Sequence, residues 1–270
     1  LPTHEMIEDL MIQANEAVAE LALAEELPFL FRVHAEPDEE KMDQLREMAA
    51  TFGHPLPSRS ISPRDLARFV GAMEDTPQEQ LVNQSTLRSM QKAIYSPGNI
   101  GHFGLASDAY AHFTSPIRRY PDLVVHRQLA RWLDRPEEAR SADEGRLASV
   151  AEHCSERERV AQEAERDSVD LKKIEFMERH VGDEFDGTIA GVTAFGLFVL
   201  LDEYHVEGLI HVSTLTDDYY QYLEEQHALL GQRKRRKFQL GDRLRIQVAR
   251  VDREAREIDF ELLEQLDGSG

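Results

Sequence analysis

Apolar side chains recur at helical spacing through most of the first 180 residues. Stripes with a period near 3.6 indicate amphipathic helices, which prolines, glycines and capping residues bound. Ser62 before Pro63 is typical of an N-cap with proline in the first turn. The pattern predicts helices at residues 3–26, 42–52, 63–73, 77–94, 121–133 and 146–180, a short strand at 29–34, an irregular segment at 96–108 and a charged linker at 136–145.

Beyond residue 180 the hydrophobic period changes from helical to two, which is typical of strands. Five strand-like runs follow, at residues 184–189, 198–201, 208–212, 243–251 and 257–262, with a longer excursion at 214–240. Closely spaced strands with glycine bends indicate a small closed barrel, and five is the strand number of an OB-type barrel. The predicted fold is therefore α+β: a mainly helical part, then a five-stranded OB-fold barrel.

Composition narrows the class of protein. The chain has 270 residues, of which 41% are hydrophobic, enough to form one large core or two modest ones. No run of eighteen apolar residues occurs, so we expect a soluble chain without a membrane span. Leu1 is neither an initiator Met nor the start of a signal pattern, which suggests a clipped chain. Cys154 is the single cysteine, which favours a reducing cytoplasm.

The charge balance limits how the chain can meet nucleic acid. There are 51 acidic and 31 basic residues, for a formal net charge of −20. Loose adhesion to phosphate backbones normally requires a basic surface. Any nucleic-acid contact is therefore expected to be local.

Three barrel residues are candidates for such a contact. Phe195, Phe198 and His211 stand near the ends of adjacent predicted strands, and Gly196 lies between the two aromatics. Exposed aromatic rings would let single-stranded bases stack whatever their identity, at about 1–3 kcal/mol per base. The alternative is that both phenylalanines fill the barrel core, as aromatic residues usually do.

A second candidate lies in the excursion between the third and fourth strands. Residues 233–237, Arg-Lys-Arg-Arg-Lys, are the densest basic run in the chain, and Tyr219, Tyr220 and Tyr222 precede them. A phosphate backbone could reach such a loop. The run could equally be a solvated loop, and the tyrosines could pack on a neighbouring domain.

The most unusual segment is residues 110–123, YAHFTSPIRRYPDL, in which a turn is followed by two arginines, Arg118 and Arg119. A guanidinium can bind two phosphate oxygens at once and stays charged while negative charge builds up during phosphodiester cleavage. An ion pair with a nearby carboxylate is the alternative, and residue type alone does not decide between them.

This segment is similar to the signature of the ribonuclease II and ribonuclease R family, in a form closer to the ribonuclease R branch. Further similar pieces occur in matching order at residues 7–15, 32–34, 87–95, 102–105 and 153–167. Residues 195–198 and 208–211 resemble an S1 RNA-binding domain. The resemblance implies the C-terminal part of an RNB exoribonuclease domain at residues 1–180, an S1 domain at 181–265 and a tail at 266–270.

The resemblance also implies roles for single residues. Arg118 matches the family arginine that grips the scissile phosphate and is needed for cleavage. Glu8 matches a glutamate that holds the terminal nucleotide through its ribose. Arg119 and Tyr110 are expected near the same substrate because they are close in sequence. Phe195, Phe198 and His211 match positions that S1 domains commonly offer to RNA.

The implied activity is that of a processive, Mg²⁺-dependent 3′-to-5′ exoribonuclease that converts single-stranded RNA to nucleoside 5′-monophosphates. The protein is expected to be a monomer in the cytoplasm. The family's metal-binding aspartates are expected upstream of Leu1, so no metal ligand is predicted in this chain, and the chain alone is expected to be inactive. Asp108 and Asp122 are expected to be caps or ion-pair partners instead. The alternative function is a non-catalytic RNA-binding module.

Overall fold

A computed structural model describes residues 2–76, 78–140, 144–223 and 228–266. The chain forms two compact units, one of Leu1–Phe69 with Thr86–Gln162 and the other of Val70–Ser85 with Glu163–Gly270. Pro77, expected to open the fourth helix, lies outside the described residues. So do residues 141–143 of the predicted linker, 224–227 of the excursion and 267–270 of the predicted tail.

Helices occur where the apolar stripes predict them. They are α1 (Pro2–Ala24), α2 (Glu39–Thr51), α3 (Pro63–Ala72), α4 (Glu79–Ser89), α5 (Tyr120–Asp134), α6 (Pro136–Arg140) and α7 (Glu144–Met177). The start of α3 confirms the predicted cap. The backbone N–H of Asp65 donates to Ser62 Oγ (3.2 Å), and the backbone N–H of Ser62 donates to Asp65 Oδ2 (3.0 Å), which satisfies two groups at the helix terminus. Among the described residues, no helix is both long and apolar enough to cross a lipid bilayer.

Two boundaries in the helical part differ from the sequence prediction. The fourth helix ends at Ser89, not at Ile94, because Ile94–Ser96 form a strand that pairs antiparallel with Phe31–Val33. Ser89 Oγ donates to the carbonyl oxygen of Thr86 (2.7 Å), a bond that competes with the helical pattern. The predicted linker after Pro136 contains the short helix α6. Tertiary pairing and local hydrogen bonding therefore override the periodicity here.

The strands are β1 (Phe31–Val33), β2 (Ile94–Ser96), β3 (Glu184–Thr193), β4 (Gly196–Leu201), β5 (Glu207–His211), β6 (Tyr220–Leu223), β7 (Ala228–Gly231), β8 (Lys237–Gln239), β9 (Arg243–Asp252) and β10 (Glu257–Leu266). Five of them close into a barrel in the order β10-β5-β4-β3-β9. All barrel pairs are antiparallel except β10 with β5, which is parallel. The predicted five-stranded barrel is confirmed.

Side chains in the barrel alternate between core and solvent as strand geometry requires. On β4, Leu197, Val199 and Leu201 are fully buried in the barrel core. Phe198 lies between them in sequence and therefore points to the outer face.

The excursion between β5 and β9 is not a plain loop. It contains a separate antiparallel sheet in which β7 lies between β6 and β8. Phe238 and Leu229 of this sheet are fully buried and join the same core as the barrel. The basic run at 233–237 thus falls on and beside a hairpin turn.

Candidate functional site

The segment with the two arginines forms a turn that leads directly into α5. The backbone N–H groups of Arg118 (3.3 Å) and Arg119 (3.0 Å) both donate to the carbonyl oxygen of Ser115. We call residues 114–119 the arginine turn. Pro121 in the first turn of α5 fixes a backbone angle that suits a helix start.

Asp122, which is fully buried, ties this turn to α5. Its Oδ2 accepts the backbone N–H of Ser115 (2.8 Å) and the Nη2 of Arg119 (2.8 Å). Arg119 is therefore held in an ion pair with a buried carboxylate, as the alternative interpretation of the arginine pair foresaw. The expectation that Asp122 serves as an ion-pair partner is confirmed.

Arg118 is placed quite differently from its neighbour. Its side chain is exposed, and it forms no hydrogen bond or ion pair with any residue in the described ranges. Ile117 beside it is also fully exposed. The turn thus anchors one guanidinium and leaves the other available to a ligand.

Helix α1 holds the segment just before the arginine turn. Asn15, which is buried, donates from Nδ2 to the hydroxyl of Tyr110 (2.8 Å). Its Oδ1 accepts the backbone N–H groups of Phe113 (3.0 Å) and Thr114 (3.3 Å). One amide therefore fixes three points of the approach to the turn.

Glu8 lies on the same helix as this anchor. It is exposed, and it precedes Asn15 by seven residues. Seven residues are almost two full helical turns, so the two side chains share a face of α1 about 10 Å apart along the axis. Glu8 therefore projects from the side of α1 that fastens the arginine turn.

Tyr110 is one of the residues expected near a substrate. It is buried, its hydroxyl is bonded to Asn15, and its ring packs edge-on against His102 and His112 at centroid distances of 5.3 and 5.9 Å. Its direct contact with a substrate stays a prediction. The observed contacts give it a structural role in holding the turn.

Sequence reasoning did not identify Asn15 as a site residue. Residues 7–15 contributed only to the family resemblance. Asn15 lies on the apolar face of α1, four residues before the buried Ala19. A polar side chain within an apolar stripe indicates a buried hydrogen-bond partner, which was the available signal.

A buried polar network supports β1 and β2 next to this site. Arg32 donates to both carboxylate oxygens of Glu158 and stacks over the ring of Tyr95 (4.7 Å to the centroid). The hydroxyl of Tyr95 bonds to Nδ1 of His112 (2.9 Å). Burial raises the pKa of Tyr95 to about 12, although the positive charge of Arg32 opposes this. The phenol is therefore neutral at ordinary pH.

Two histidines in the network are held neutral as well. Burial lowers the pKa of His112 to about 3, and the nearby charges of Arg119 and Arg32 add to the effect. Burial also lowers the pKa of His102 to about 4, helped by His34 and Arg32. Protonating either ring would place a second positive charge near the buried Arg32.

The first unit is therefore expected to lose stability as the pH falls below 6.5. Both histidines have lower pKa values in the folded chain than the 6.5 of an unfolded histidine, so their neutral forms favour folding. Between pH 7.5 and 5 the loss is about 2 kcal/mol for His112 and smaller for His102, which is more exposed to solvent. Urea unfolding followed by the fluorescence of Trp132, the single tryptophan, measures it in the first unit.

Matched asparagine variants test the source of this loss. His112→Asn keeps an acceptor for Tyr95 but cannot titrate, so its stability should vary less with pH. The exposed His153→Asn is the control and should behave as the unchanged chain. An unchanged pH dependence in His112→Asn would contradict the assignment.

A cavity of about 700 Å³ opens beside the arginine turn. Its lining includes Tyr95, Arg118, Arg119, His153, Cys154 and Glu158. Burial, with a smaller contribution from Glu158, raises the pKa of the Cys154 thiol, so this cysteine is a poor nucleophile. The size of the cavity suits a small polar ligand, and Arg118 offers it an unpaired cation.

The three barrel candidates lie together on the outer face of the second unit. Phe195 is 49% exposed and its ring meets that of Phe198 edge-on at 5.8 Å. His211 on β5 is opposite Gly196 on β4. Neither phenylalanine is part of the barrel core, so the core-packing alternative is wrong for both.

Gly196 allows this face to form. A Cβ at this position would come within 2.3 Å of the carbonyl oxygen of Ile210. Any side chain would therefore push β4 away from β5. His211 is further fixed because its Nδ1 accepts the backbone N–H of Ser213 (3.2 Å). We call Phe195, Phe198 and His211 the barrel face.

Metal ligands do not gather anywhere in the described part of the chain. No three His, Cys, Asp or Glu side chains among those residues lie close enough to hold one cation. Asp108 and Asp122 do not form such a group. Divalent cations in nucleases are held by several converging carboxylates, so the described residues do not fit a Mg²⁺ site.

Comparison with known proteins identifies both parts of the chain. Residues 1–135 match the model of the RNB domain. The chain belongs to the RNB-domain family. Residues 178–263 of this RNB-family chain match the S1 RNA-binding domain. The resemblance inferred from the motifs is thus confirmed.

Similar proteins agree with this assignment. Ribonuclease R of Thermotoga maritima is 47% identical over 266 residues, which cover 96% of this chain and 37% of that protein. The apo form of Mycoplasma genitalium RNase R is 29% identical, with a TM-score of 0.86, and covers 97% of this chain. The same protein in complex with ribose-methylated single-stranded RNA gives a TM-score of 0.85 over 96%. The RNB-family chain spans about two fifths or less of each of these proteins.

Proposed function

We propose that this chain is part of a processive 3′-to-5′ exoribonuclease that hydrolyses single-stranded RNA to nucleoside 5′-monophosphates in the cytoplasm, as a monomer. In this proposal residues 1–180 belong to the RNB catalytic domain and residues 181–265 to the S1 domain. The proposal is supported by RNB-family membership and by the similarity to ribonuclease R. Mg²⁺ would have to be held by residues other than those described.

The unpaired Arg118 on a fastened turn carries the proposal. Charge builds up on the phosphate oxygens during phosphodiester cleavage, and a fixed cation stabilises that state more than the ground state. A guanidinium suits this role because it is planar, permanently charged and can bind two oxygens. Arg118 would therefore contact the scissile phosphate directly.

Three other residues would act around it. Arg119 would keep the turn in place through Asp122, and Tyr110 would do so through Asn15, so we assign both as positioning residues. Glu8 would accept hydrogen bonds from the ribose hydroxyls of the terminal nucleotide. A carboxylate is acceptor-only when ionised, so it selects hydroxyl groups and repels stray phosphates.

The barrel face would hold RNA upstream of the cleaved end. Stacking on Phe195 and Phe198 accepts any base because every base has an aromatic face. The net charge of −20 would discourage RNA from binding elsewhere on the chain. Degradation without sequence preference follows from this division of roles.

A comparison of the chain with its full-length protein tests the proposal. Incubated with Mg²⁺ and a 3′-overhang RNA, residues 1–270 should retain RNA in fluorescence anisotropy and release no nucleotide. The full-length protein should release 5′-monophosphates, measured by thin-layer chromatography. RNA retention by both without release would support a non-catalytic RNA-binding module, and no retention by either would overturn the proposal.

A further inference from the structure

The hairpin between β7 and β8 carries a concentrated positive charge. The backbone N–H of Gly231 donates to the carbonyl oxygen of Arg236 (2.8 Å), which closes a turn of four residues. Three of the four, Arg233, Lys234 and Arg235, are cationic and exposed. We call residues 232–235 the basic turn.

Some cations of this region are bound by neighbouring side chains, and others are free to bind a ligand. Arg236 donates from Nε to Gln265 (3.0 Å) and stacks over Phe238 at 4.7 Å, so it is held against the sheet. Arg233 and Arg235 form no side-chain hydrogen bond or ion pair within the described residues. Lys234 lies in between, with only a loose ion pair to Asp217 (3.5 Å).

The basic turn has a fixed shape. The carboxylate of Asp218 accepts the backbone N–H groups of Arg233 (2.9 Å) and Lys234 (2.6 Å). Arg235 has φ +58°, a left-handed conformation that favours glycine or asparagine. An arginine therefore stands at a position where glycine or asparagine would be less strained.

An exposed aromatic ring lies beside the basic turn. Tyr219 is 71% exposed, and its carbonyl oxygen accepts the backbone N–H of Gln232 (2.9 Å), the first residue of the turn. Its neighbour Tyr220 is buried, with its hydroxyl bonded to Asp217 (3.0 Å). Of the tyrosine pair, only Tyr219 can offer its ring to a ligand.

We infer that the basic turn and Tyr219 form a second RNA-binding surface, in which the turn's cations bind phosphates and the tyrosine stacks a base. Cations next to an exposed aromatic ring are the combination that single-stranded RNA requires. A partner protein with an acidic surface would form ion pairs with the cations but would have no need of the exposed aromatic ring. The inference rests on the proposed function, because it extends the RNA path away from the barrel face.

The second surface is within reach of the barrel face. Tyr219 follows His211 by eight residues, so their Cα atoms are at most about 29 Å apart. A strand of about 16 nucleotides, the upper site size of an OB fold, is long enough to contact both surfaces at once, whereas about 4 nucleotides, the lower site size, offer few phosphates and bases to share between them. The basic turn should therefore contribute more to the binding of long RNA than to the binding of short RNA.

A double variant, Arg233→Gln with Arg235→Gly, tests the inference in the chain of residues 1–270. Arg235→Gly also relaxes the left-handed position, so weaker binding cannot be attributed to a strained turn. We expect about a tenfold loss of affinity for the long RNA in fluorescence anisotropy. The slope of log affinity against log salt should fall by about 1.4, because two phosphate contacts are lost. Affinity for the short RNA should fall by a smaller factor.

Arg256→Gly is the matched control. Arg256 is also an exposed hairpin arginine at positive φ (+57°), but it pairs with Asp167 (3.4 Å). This variant should bind both RNAs as the unchanged chain does. Tyr219→Ala should weaken long-RNA binding without changing the salt slope, and it keeps the test open if the double variant does not fold.

The outcomes separate this inference from the proposed function. If the unchanged chain binds neither RNA, the proposed function fails. A different result overturns the second surface alone. In that result the unchanged chain binds both RNAs, Phe195→Ala weakens binding of both RNAs, and the double variant and Tyr219→Ala bind the long RNA as the unchanged chain does. An equal loss in Arg256→Gly and the double variant would also overturn it, since bulk charge would then explain the result.

Discussion

Arg118→Ala is expected to lower turnover of single-stranded RNA by the full-length protein at least about 100- to 1,000-fold, the usual loss when one group that stabilises transition-state charge is removed. RNA affinity should fall far less, since stacking and other phosphate contacts remain. Arg118 has no partner in the described structure, so its removal leaves no buried charge uncompensated. Stopped-flow single-turnover rates and anisotropy measure the two quantities separately.

Two variants control this result. Arg118→Lys keeps the charge but not the paired donors, so it should recover only part of the rate. Arg68→Ala removes an exposed arginine of α3, whose ion pair with Asp65 is loose (3.4 Å), and should leave the rate unchanged. Equal losses of rate and affinity in Arg118→Ala would contradict a role in the transition state.

Asp122→Ala is expected to reduce the free energy of unfolding of the first unit by about 2–3 kcal/mol, because the largely buried guanidinium of Arg119 would lose its counter-charge. The carboxylate is fully buried and holds both Arg119 and the backbone of Ser115. Turnover should fall too, since the arginine turn would lose its anchor. Urea unfolding followed by Trp132 fluorescence reports on this unit, which contains α5.

A double variant distinguishes the lost ion pair from simple loss of packing. Arg119→Met combined with Asp122→Leu removes both charges and refills the space, so it should be more stable than Asp122→Ala alone. Its turnover should stay low, because the N–H of Ser115 still lacks its acceptor. A stability loss below about 1 kcal/mol in Asp122→Ala would show that the buried pair does not hold the turn.

Much of the fold could be predicted because periodicity reflects burial directly. The helical stripes and the change to period two near residue 181 located α1, α5, α7 and the barrel strands. The end of α4, the helix α6 and the sheet β6–β8 were not predicted. Ile94 is in a strand because it pairs with Val33 of β1, which is 61 residues away in sequence. Periodicity within one segment carries no information about such a partner.

The motif predicted where the candidate site lies, but not which contacts its residues make. Residue type did not separate Arg118 from Arg119 in the segment 110–123, and only the family resemblance singled out Arg118. The structure separates them, because Asp122 is three residues from Arg119 on α5 and can reach it. Asn15 was missed as an anchor because its partners are 95 to 99 residues away in sequence.

The amino-acid sequence by itself determined the two-part architecture, the barrel and the family, since these depend on local spacing and short motifs. The tertiary structure alone decided which arginine is free, which aromatics face outward and which cations of the basic turn are unpaired. Burial and pairing depend on groups that meet only when distant segments pack. A neighbour in space, and not a neighbour in sequence, therefore assigns each of these side chains its role.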